Sequence, residues 1–462
     1  MSMAAEVSVL AKLEGSVGSA NVRTEPKELL RFAIDGVTPK FEVRPETAEK
    51  AAEVVRTAVH EKFAVVACGA RTALAIGTPP ASYDVALDMT RITGISSYDP
   101  GDLTISVNAG MPLADLAREL AEKKQFLPLE VPFFEKATVG GAIAAGLDSP
   151  LRQFYGTPRD FLIGAEFVDG TGAQAKSGGR VVKNVTGYDF HKLLNGSLGT
   201  LGVITRLNFR TYPIASARRG FLASFADEVG ALKFVKHIGA SALTPIVLEM
   251  ASPESAGLLF SQYAPFASLC AAQDKREWTV CVGFEGSGEV CERYAKELAR
   301  MAKQVGAQNA VAMHDDQFAA LLEILREAPV TMRDAAAEAV VMRFTALPSQ
   351  LADLLRAVRS FARSSWMTAP VLARSECVIY MALLPRAGDE TAFKQLDYFW
   401  KSVGSLRGKL EFKGTVVFCP AKWKAMLDGW EHANVELEME RRVKRAFDPN
   451  GVFARGRFVG GM

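Results

Sequence analysis

The spacing of apolar residues in the first half of the chain alternates between helix and strand periods. An apolar stripe at helical spacing precedes the short apolar segment FAVVA, which predicts a helix followed by a strand. The segments YDVALDMT, ITGISSY and LTISVNAG are typical of strands, and the last two are joined by a predicted turn at residues 99–102. Ala48, Ala51, Val55 and Val59 form the stripe, with Pro45 and Thr47 ahead of it.

A second helix is predicted over residues 112–124, because Pro112 suits a first helical turn. The segments FLIGAEFV and AQAKSG then predict a hairpin around residues 169–172. Helices interleaved with strands of mixed pairing indicate an α+β fold. A Rossmann fold is disfavoured, since no G-x-G-x-x-G follows the first strand.

The pattern changes after Tyr212 and Pro213, where the glycine-bearing turns stop. Predicted helices at 285–304 and 315–326 alternate with the strands WTVCVGF, AVVMRFTAL and CVIYMALL. We therefore expect an N-terminal segment over residues 1–41, a first domain over 42–213 with subdomains of about 42–95 and 96–213, a second domain over 214–415, and a C-terminal segment over 416–462.

Composition limits the classes of function. The 462 residues are 49% hydrophobic and carry 54 basic against 52 acidic side chains, so no field of one sign points to nucleic acid or an anionic membrane. The six cysteines show no C-x-x-C spacing, which excludes a zinc knuckle or an iron–sulfur cluster bound by such a motif. Glu6 and Lys12 interrupt a signal-peptide core and no apolar run is long enough to span a membrane, so we expect a cytoplasmic protein.

Three glycine-bearing turns follow apolar segments in the first domain: VVACGARTALAIGTPP, EKATVGGAIAAGLDSP and GSLGTLGVIT. Each alone fits a glycine-rich turn that leads into a strand or a packed helix. Together they favour a large bound cofactor, because small residues let backbone N–H groups approach a phosphate closely. Gly196, Gly199 and Gly202 recur every third residue, which suggests backbone packed against something flat.

The motifs GARTALAIG, ATVGG, FYGTPRD and GSLGTLGVI occur in the order seen in FAD-binding flavoproteins of the p-cresol methylhydroxylase and vanillyl-alcohol oxidase family, which the chain resembles. The segment GG-x-x-x-KN-x-x-GYD and the ending VKRAFDPNGVFARGRFVGG particularly resemble the FAD-binding subunits of bacterial glycolate oxidases. The resemblance implies a two-subdomain FAD-binding fold with an α+β, ferredoxin-like cap.

The resemblance also implies the residues that hold FAD. Thr72 stands where relatives carry a flavin-linking histidine, and no cysteine lies between Cys68 and Cys270, so we expect noncovalent FAD. Arg71 stands where relatives have glycine, and it could pair with the pyrophosphate or point into solvent. The helix after Thr138 is expected to turn its N-terminal amides to the flavin. The predicted cofactor-binding residues are Cys68, Gly69, Ala70, Arg71, Thr72, Gly77, Pro132, Thr138, Gly140, Gly141, Ala144, Ala145, Tyr155, Gly156, Asp160, Lys183, Asn184, Gly199, Gly202, Val203 and Arg455.

Oxidation of a 2-hydroxy acid needs a base, a cation for the carboxylate and a flavin that accepts hydride. Tyr188 and His191 lie beside the KN-x-x-GYD segment, and Arg343 is an isolated cation in an apolar strand, so these are the candidate catalytic residues, although each could instead be structural. No two of the five histidines are spaced at i,i+4 or i,i+7, so we expect no metal site.

Two functions remain open. The chain could oxidise a 2-hydroxy acid such as glycolate or lactate and pass electrons to an iron–sulfur partner, as the resemblance implies. Alternatively, it could bind FAD only as an electron relay or scaffold beside a paralogous flavoprotein subunit. An NADPH-using reductase is a weaker third alternative, because such enzymes lack the KN-x-x-GYD segment.

Overall fold

The computed structural model describes residues 3–180, 187–261, 277–365, 367–386, 388–424, 426–427, 429–430 and 434–462. Up to residue 213 the strands are Val22–Arg23 (β1), Phe41–Val43 (β2), Val65–Cys68 (β3), Val85–Asp88 (β4), Ile95–Asp99 (β5), Thr104–Asn108 (β6), Gln125–Phe126 (β7), Leu162–Val168 (β8), Gln174–Gly178 (β9), Val203–Arg210 (β10) and Tyr212–Pro213 (β11). The α-helices of this part are Met3–Val17 (α1), Pro26–Leu29 (α2), Ala48–Glu61 (α3), Leu113–Glu122 (α4), Val139–Ala145 (α5), Arg152–Tyr155 (α6), Pro158–Phe161 (α7) and His191–Leu194 (α8).

A small mixed sheet with the order β1-β2-β4-β3 forms the first layer. Strands β2, β4 and β3 are parallel and β1 is antiparallel to β2. The predicted helix α3 begins after Thr47, whose side chain accepts a hydrogen bond from the Lys50 N–H at 3.2 Å. Its apolar stripe packs with α1 against this sheet. The prediction of a helix followed by a strand in this region is therefore confirmed.

The second sheet is antiparallel, with the order β5-β6-β10-β8-β9. The predicted turn between β5 and β6 is present, and the Asp99 carboxylate accepts hydrogen bonds from the N–H groups of Gly101 and Asp102. The predicted β8–β9 hairpin also forms, and the Asp169 carboxylate accepts from the N–H of Thr171 at 2.8 Å. Helix α5 lies against β6 and β10, which places its small residues beside the centre of this sheet.

The following part of the chain forms one eight-stranded antiparallel sheet, which we call the cap sheet. Its strands are Ala217–Phe225 (β12), Val247–Ala251 (β13), Trp278–Gly286 (β14), Asn309–Met313 (β15), Val340–Ala346 (β16), Val371–Arg374 (β17), Val378–Leu383 (β18) and Phe412–Phe418 (β19). The helices from here to the C-terminus are Glu228–Gly239 (α9), Pro253–Phe260 (α10), Gly288–Gln304 (α11), Asp315–Asp334 (α12), Leu351–Ser364 (α13), Ala392–Gly404 (α14), Ala421–Lys424 (α15) and Asn434–Phe447 (α16), with short 3-10 helices at Ser19–Asn21, Leu30–Phe32, Met89–Arg91 and Val459–Gly461.

The cap sheet consists of two ferredoxin-like units side by side. The order β15-β12-β14-β13 and the mirrored order β17-β18-β16-β19 each follow the ferredoxin-like pattern, and pairing of β13 with β17 joins them. The prediction of a ferredoxin-like cap is thus confirmed, and the cap contains two such units. Helix α12 is longer than predicted, because it continues through Pro329 and buries Ala328 and Met332. None of the helices in the described ranges has the length and apolarity that crossing a bilayer requires.

The C-terminal segment returns to the edge of the first sheet. The Val65 N–H donates to the Val452 carbonyl at 2.9 Å, and the Ala454 N–H donates to the Val65 carbonyl at 2.8 Å. Phe453 pairs parallel to Val65 and is fully buried. This return brings residues 454–458 next to the first glycine-bearing turn.

Candidate functional site

A cleft opens where the end of β3, helix α5 and the start of β10 meet. Its space, including the part open to solvent, is about 770 Å³. It is lined by Val66, Ala67, Cys68, Gly69, Ala70, Arg71, Thr72, Ala73, Leu74, Met89, Ala109, Thr138, Gly140, Gly141, Ala144, Ala145, Leu198, Gly199, Gly202, Ile204 and Arg457. All of the glycine-bearing turns predicted from the sequence therefore contribute to one cleft.

The first wall is the turn that follows β3. Within the described part of the chain, the N–H groups of residues 70–73 donate to no backbone or side-chain acceptor. Gly69 must lack a side chain, since a Cβ there would lie 2.0 Å from the Thr138 hydroxyl oxygen. This wall therefore offers several uncommitted donors to an anionic ligand.

Arg71 adopts a left-handed backbone conformation, with a φ of 66°. Its guanidinium lies 3.8 Å from the Asp88 carboxylate and 4.8 Å from the centre of the Phe32 ring. Arg71 lines the cleft, but Asp88 and Phe32 hold its charged end toward the first sheet. The side chain is therefore paired with Asp88 rather than free in solvent, and its pairing with a pyrophosphate stays a prediction.

Helix α5 forms the second wall through its small residues. The Val139 and Gly140 N–H groups donate to the carbonyls of Met111 and Ala109, at 2.9 Å and 2.8 Å, and the Gly141 N–H donates to the Thr138 hydroxyl. The expectation that these amides face the flavin is wrong, because the backbone before α4 and the Thr138 cap already use them. The helix instead presents Gly140, Gly141, Ala144 and Ala145 to the cleft.

The third wall is the turn before β10. Gly199 has a φ of 71° and lines the cleft, while a Cβ on Gly202 would lie 2.9 Å from the Val168 carbonyl of β8. Gly196 packs instead against Gly146, whose added Cβ would lie 2.5 Å from the Gly196 Cα. Val203, a predicted cofactor contact, is buried with the core of the first sheet on the far side. Its neighbour Ile204 lines the cleft instead.

Arg457, which was not among the predicted cofactor-binding residues, forms the remaining wall. Its side chain is only 3% exposed, and its Nη2 donates to the carbonyls of Leu74, at 2.7 Å, and Ile76. Arg455, which was predicted instead, lies outside the cleft and donates to the carbonyls of Gly451, Lys62 and Phe63. The sequence carries no local signal for this difference, since both arginines occupy the same short tail.

Several other predicted cofactor contacts lie outside the cleft. The Tyr155 hydroxyl donates to the Glu285 carboxylate of β14, and Asp160 caps α7 by accepting from the Thr157 N–H at 2.6 Å. Gly156 packs against Asp160, Pro132 is buried beside the contact of Phe133 with α12, and Gly77 packs against the Arg457 carbonyl. Lys183 and Asn184 lie outside the described residues.

The candidate catalytic side chains do not come together. Tyr188 is 81% exposed and contacts Phe190, whereas His191 is 2% exposed and its Nδ1 lies 3.1 Å from the Ser177 hydroxyl. Burial lowers the pKa of His191. Arg343 alone approaches a cleft element, since it donates to the carbonyl of Gly146 at the end of α5, at 2.9 Å.

The other histidines also stand apart. His60 and His237 are on exposed helix surfaces, His314 caps α12, and His432 lies outside the described residues. No three His, Cys, Asp or Glu side chains in the described ranges are grouped as metal ligands would be.

Comparison with known proteins agrees with this geometry. The family model of an FAD binding domain matches residues 39–178, and the model of the C-terminal domain of FAD linked oxidases matches residues 214–374. The glycolate oxidase subunit GlcE of Escherichia coli (strain K12) is 38% identical over 162 residues, which are 35% of this chain and 46% of that protein. The chain therefore aligns with less than half the length of GlcE.

Longer matches have lower identity. The glycolate oxidase subunit GlcD of Bacillus subtilis (strain 168) is 25% identical over 325 residues, which are 70% of this chain and 68% of that protein. A crystal structure of p-cresol methylhydroxylase with substrate bound has a TM-score of 0.78 at 15% identity and covers 99% of this chain and 97% of that one. At this identity the likeness shows a shared fold.

Proposed function

Because this chain belongs to the FAD-binding flavoproteins of the p-cresol methylhydroxylase type, we propose that it is an FAD-dependent oxidoreductase, or a subunit of one, that oxidises a 2-hydroxy acid. The electrons then pass to an iron–sulfur partner, and a cytoplasmic location is part of this proposal. The observation that carries the proposal is the cleft itself, which is lined both by residues 70–73, whose amides are uncommitted, and by glycine and alanine residues of α5.

The residues of the cleft fit FAD. The uncommitted amides suit the oxygens of a diphosphate, and the flat surface formed by Gly140, Gly141, Ala144 and Ala145 leaves room for a planar ring system. FAD, when bound, supplies the acceptor for the hydride of the substrate. Thr72 has a hydroxyl where the family's histidine would form a covalent link, so the cofactor is proposed to be noncovalent.

The proposed substrate class comes from the relatives, whose names include glycolate oxidase subunits, D-lactate dehydrogenase and D-2-hydroxyglutarate dehydrogenase. Among the candidate side chains, Arg343 suits the carboxylate of such a substrate best. It is a cation on the cap sheet, it lies at the end of a helix that lines the cleft, and its charge is shared with Asp148 at 3.6 Å. Tyr188 and His191 have no comparable position.

The test is a spectrum of the purified protein followed by anaerobic mixing with glycolate, D-lactate and D-2-hydroxyglutarate. We expect a flavin spectrum, release of free FAD on acid denaturation, and bleaching of the flavin band by at least one of these acids. A protein that retains FAD but is bleached only by dithionite would contradict the substrate proposal. A colourless protein that takes up no added FAD would contradict the cofactor assignment, and bleaching by NADPH alone would favour a reductase.

A second candidate function is an electron relay or scaffold that works beside a paralogous flavoprotein subunit. It is favoured by the positions of the catalytic candidates, since Tyr188 is exposed and His191 is buried against Ser177. If this function is correct, the flavin will stay oxidised with every hydroxy acid until a partner flavoprotein is added. Copurification of such a partner from the native host, followed by the same anaerobic mixing, separates the two functions.

A further inference from the structure

We propose that Arg457 supplies the positive charge that binds the diphosphate of FAD, closing the cleft from the C-terminal segment. This inference rests on the FAD cofactor but not on the identity of the substrate. It concerns a residue two positions away from the arginine that the sequence pattern indicated.

The Arg457 guanidinium is only partly satisfied by protein. Its Nη2 donates to the carbonyls of Leu74 and Ile76, but its Nε and Nη1 are buried and have no hydrogen-bond partner among the described residues. The hydroxyl of Tyr83, another buried group near Arg457, also has no partner there. A buried arginine with two unused donors is costly in a folded protein unless a ligand accepts from it.

Among the described residues, no carboxylate forms an ion pair with Arg457. The carboxylate whose charge acts on it is Asp35, but Asp35 already pairs with Lys424, whose Nζ lies 3.0 Å from each carboxylate oxygen. Burial lowers the pKa of Arg457, as expected for a cation without its own counter-ion. The other cation of the cleft, Arg71, differs because Asp88 is within 3.8 Å of it.

The ligand that suits Arg457 must be an anion. Oxidised isoalloxazine and adenine are neutral, whereas the diphosphate of FAD is charged and presents pairs of oxygens that match the planar guanidinium. The carbonyls that hold Arg457 belong to residues 74 and 76, which closely follow the uncommitted amides of residues 70–73, and both Arg457 and these residues line the cleft. Amides and guanidinium can therefore bind the same anion.

The experiment measures binding to the apoprotein, with Arg457→Gln compared with Arg455→Gln as the matched control. Both variants lose one positive charge from the same tail, but Arg455 donates only to backbone carbonyls outside the cleft. FAD affinity is measured by flavin fluorescence, and ADP affinity by competition, because ADP contains the diphosphate without the isoalloxazine. We expect Arg457→Gln to weaken both ligands by roughly 10- to 100-fold, Arg457→Lys to weaken them less, and Arg455→Gln to leave both nearly unchanged.

A purely structural role predicts a different result. If Arg457 only held residues 74 and 76 in place, the apoprotein of Arg457→Gln would unfold at lower urea concentration than wild type, whereas the proposal expects equal or greater stability without the buried charge. Weakened FAD binding with unchanged ADP binding would place the arginine at the isoalloxazine and overturn the diphosphate assignment. Unchanged affinity for both ligands would also overturn it. Wild-type protein that binds FAD without oxidising any hydroxy acid would refute the proposed substrate but leave this inference intact.

Discussion

Replacement of Gly140 by alanine tests whether the close approach of α5 to the second sheet forms the cleft. A Cβ at this position would lie 2.7 Å from the Cβ of Ala109 and 2.9 Å from its carbonyl oxygen. Ala109 is buried directly after β6, and its carbonyl already accepts from the Gly140 N–H. The added methyl group therefore meets backbone and a Cβ, which cannot rotate away.

The magnitude follows from two opposing terms. Non-bonded carbons are normally about 3.5–4.0 Å apart, so α5 must move by roughly 1 Å, and overpacking of this kind costs about 1–3 kcal/mol. Alanine is the better helix former by about 1 kcal/mol, which offsets part of that cost. We expect a net loss of up to about 2 kcal/mol relative to wild type. FAD binding should also weaken, because Ala144 and Ala145 move with the helix.

Gly257→Ala is the matched control. Gly257 lies inside α10, and an added Cβ there would have no atom within 4 Å, so this variant should gain only the helix-propensity term of about 1 kcal/mol. Urea unfolding of the apoproteins and fluorescence titration with FAD measure both effects. The reasoning is refuted if Gly140→Ala is as stable as Gly257→Ala, or if it binds FAD as tightly as wild type.

Two further predictions concern buried polar groups. Burial lowers the pKa of His191 below its usual 6.5, so below pH 6.5 the unfolded chain takes up a proton that the folded chain does not. The free energy of unfolding should therefore fall by up to about 1.4 kcal/mol for each pH unit below 6.5. Urea unfolding from pH 7.5 to 5, at roughly half-unit steps, checks this. The variant His191→Gln should lose this part of the pH dependence, whereas His60→Gln, at an exposed position, should retain it. Arg374→Met should cost roughly 3–5 kcal/mol in urea unfolding, since it leaves Glu249 buried and unpaired, and a double variant with Glu249→Leu should recover part of the loss. A double variant no more stable than Arg374→Met would show that the ion pair is not the cause.

The regular elements were predictable because their signals are local. The stripe of α3, the Asp99 turn and the β8–β9 hairpin each depend on residues close together in the chain, and the structure confirms all of them. The doubled cap was not predictable in this way. It depends on pairing of β13 with β17, and the Glu249↔Arg374 register joins residues more than a hundred positions apart. No local period encodes such a partner.

The same distinction applies to the cleft. The sequence motifs identified residues 68–72, Thr138 and the small residues of α5, because glycine and alanine in these turns serve backbone packing that repeats within a family. They failed for Arg455 and Arg457, since which of the two enters the cleft is decided by how the tail pairs with β3. They also failed for Tyr188 and His191, where closeness along the chain to a cofactor motif did not bring the side chains to the cleft.

The cap sheet contributes to the rigidity of the cleft through the C-terminal end of α5. Arg343 of β16 donates to the Gly146 carbonyl at 2.9 Å, and Arg374 of β17 donates to the Asp148 carbonyl at 3.0 Å. Cations are favoured at this end of a helix, because its last carbonyls have no partners within the helix. The other end of α5 is held by the Ala109 and Met111 carbonyls, so the helix is fixed at both ends. Movement of the cap sheet away from the cleft would therefore have to break both arginine contacts.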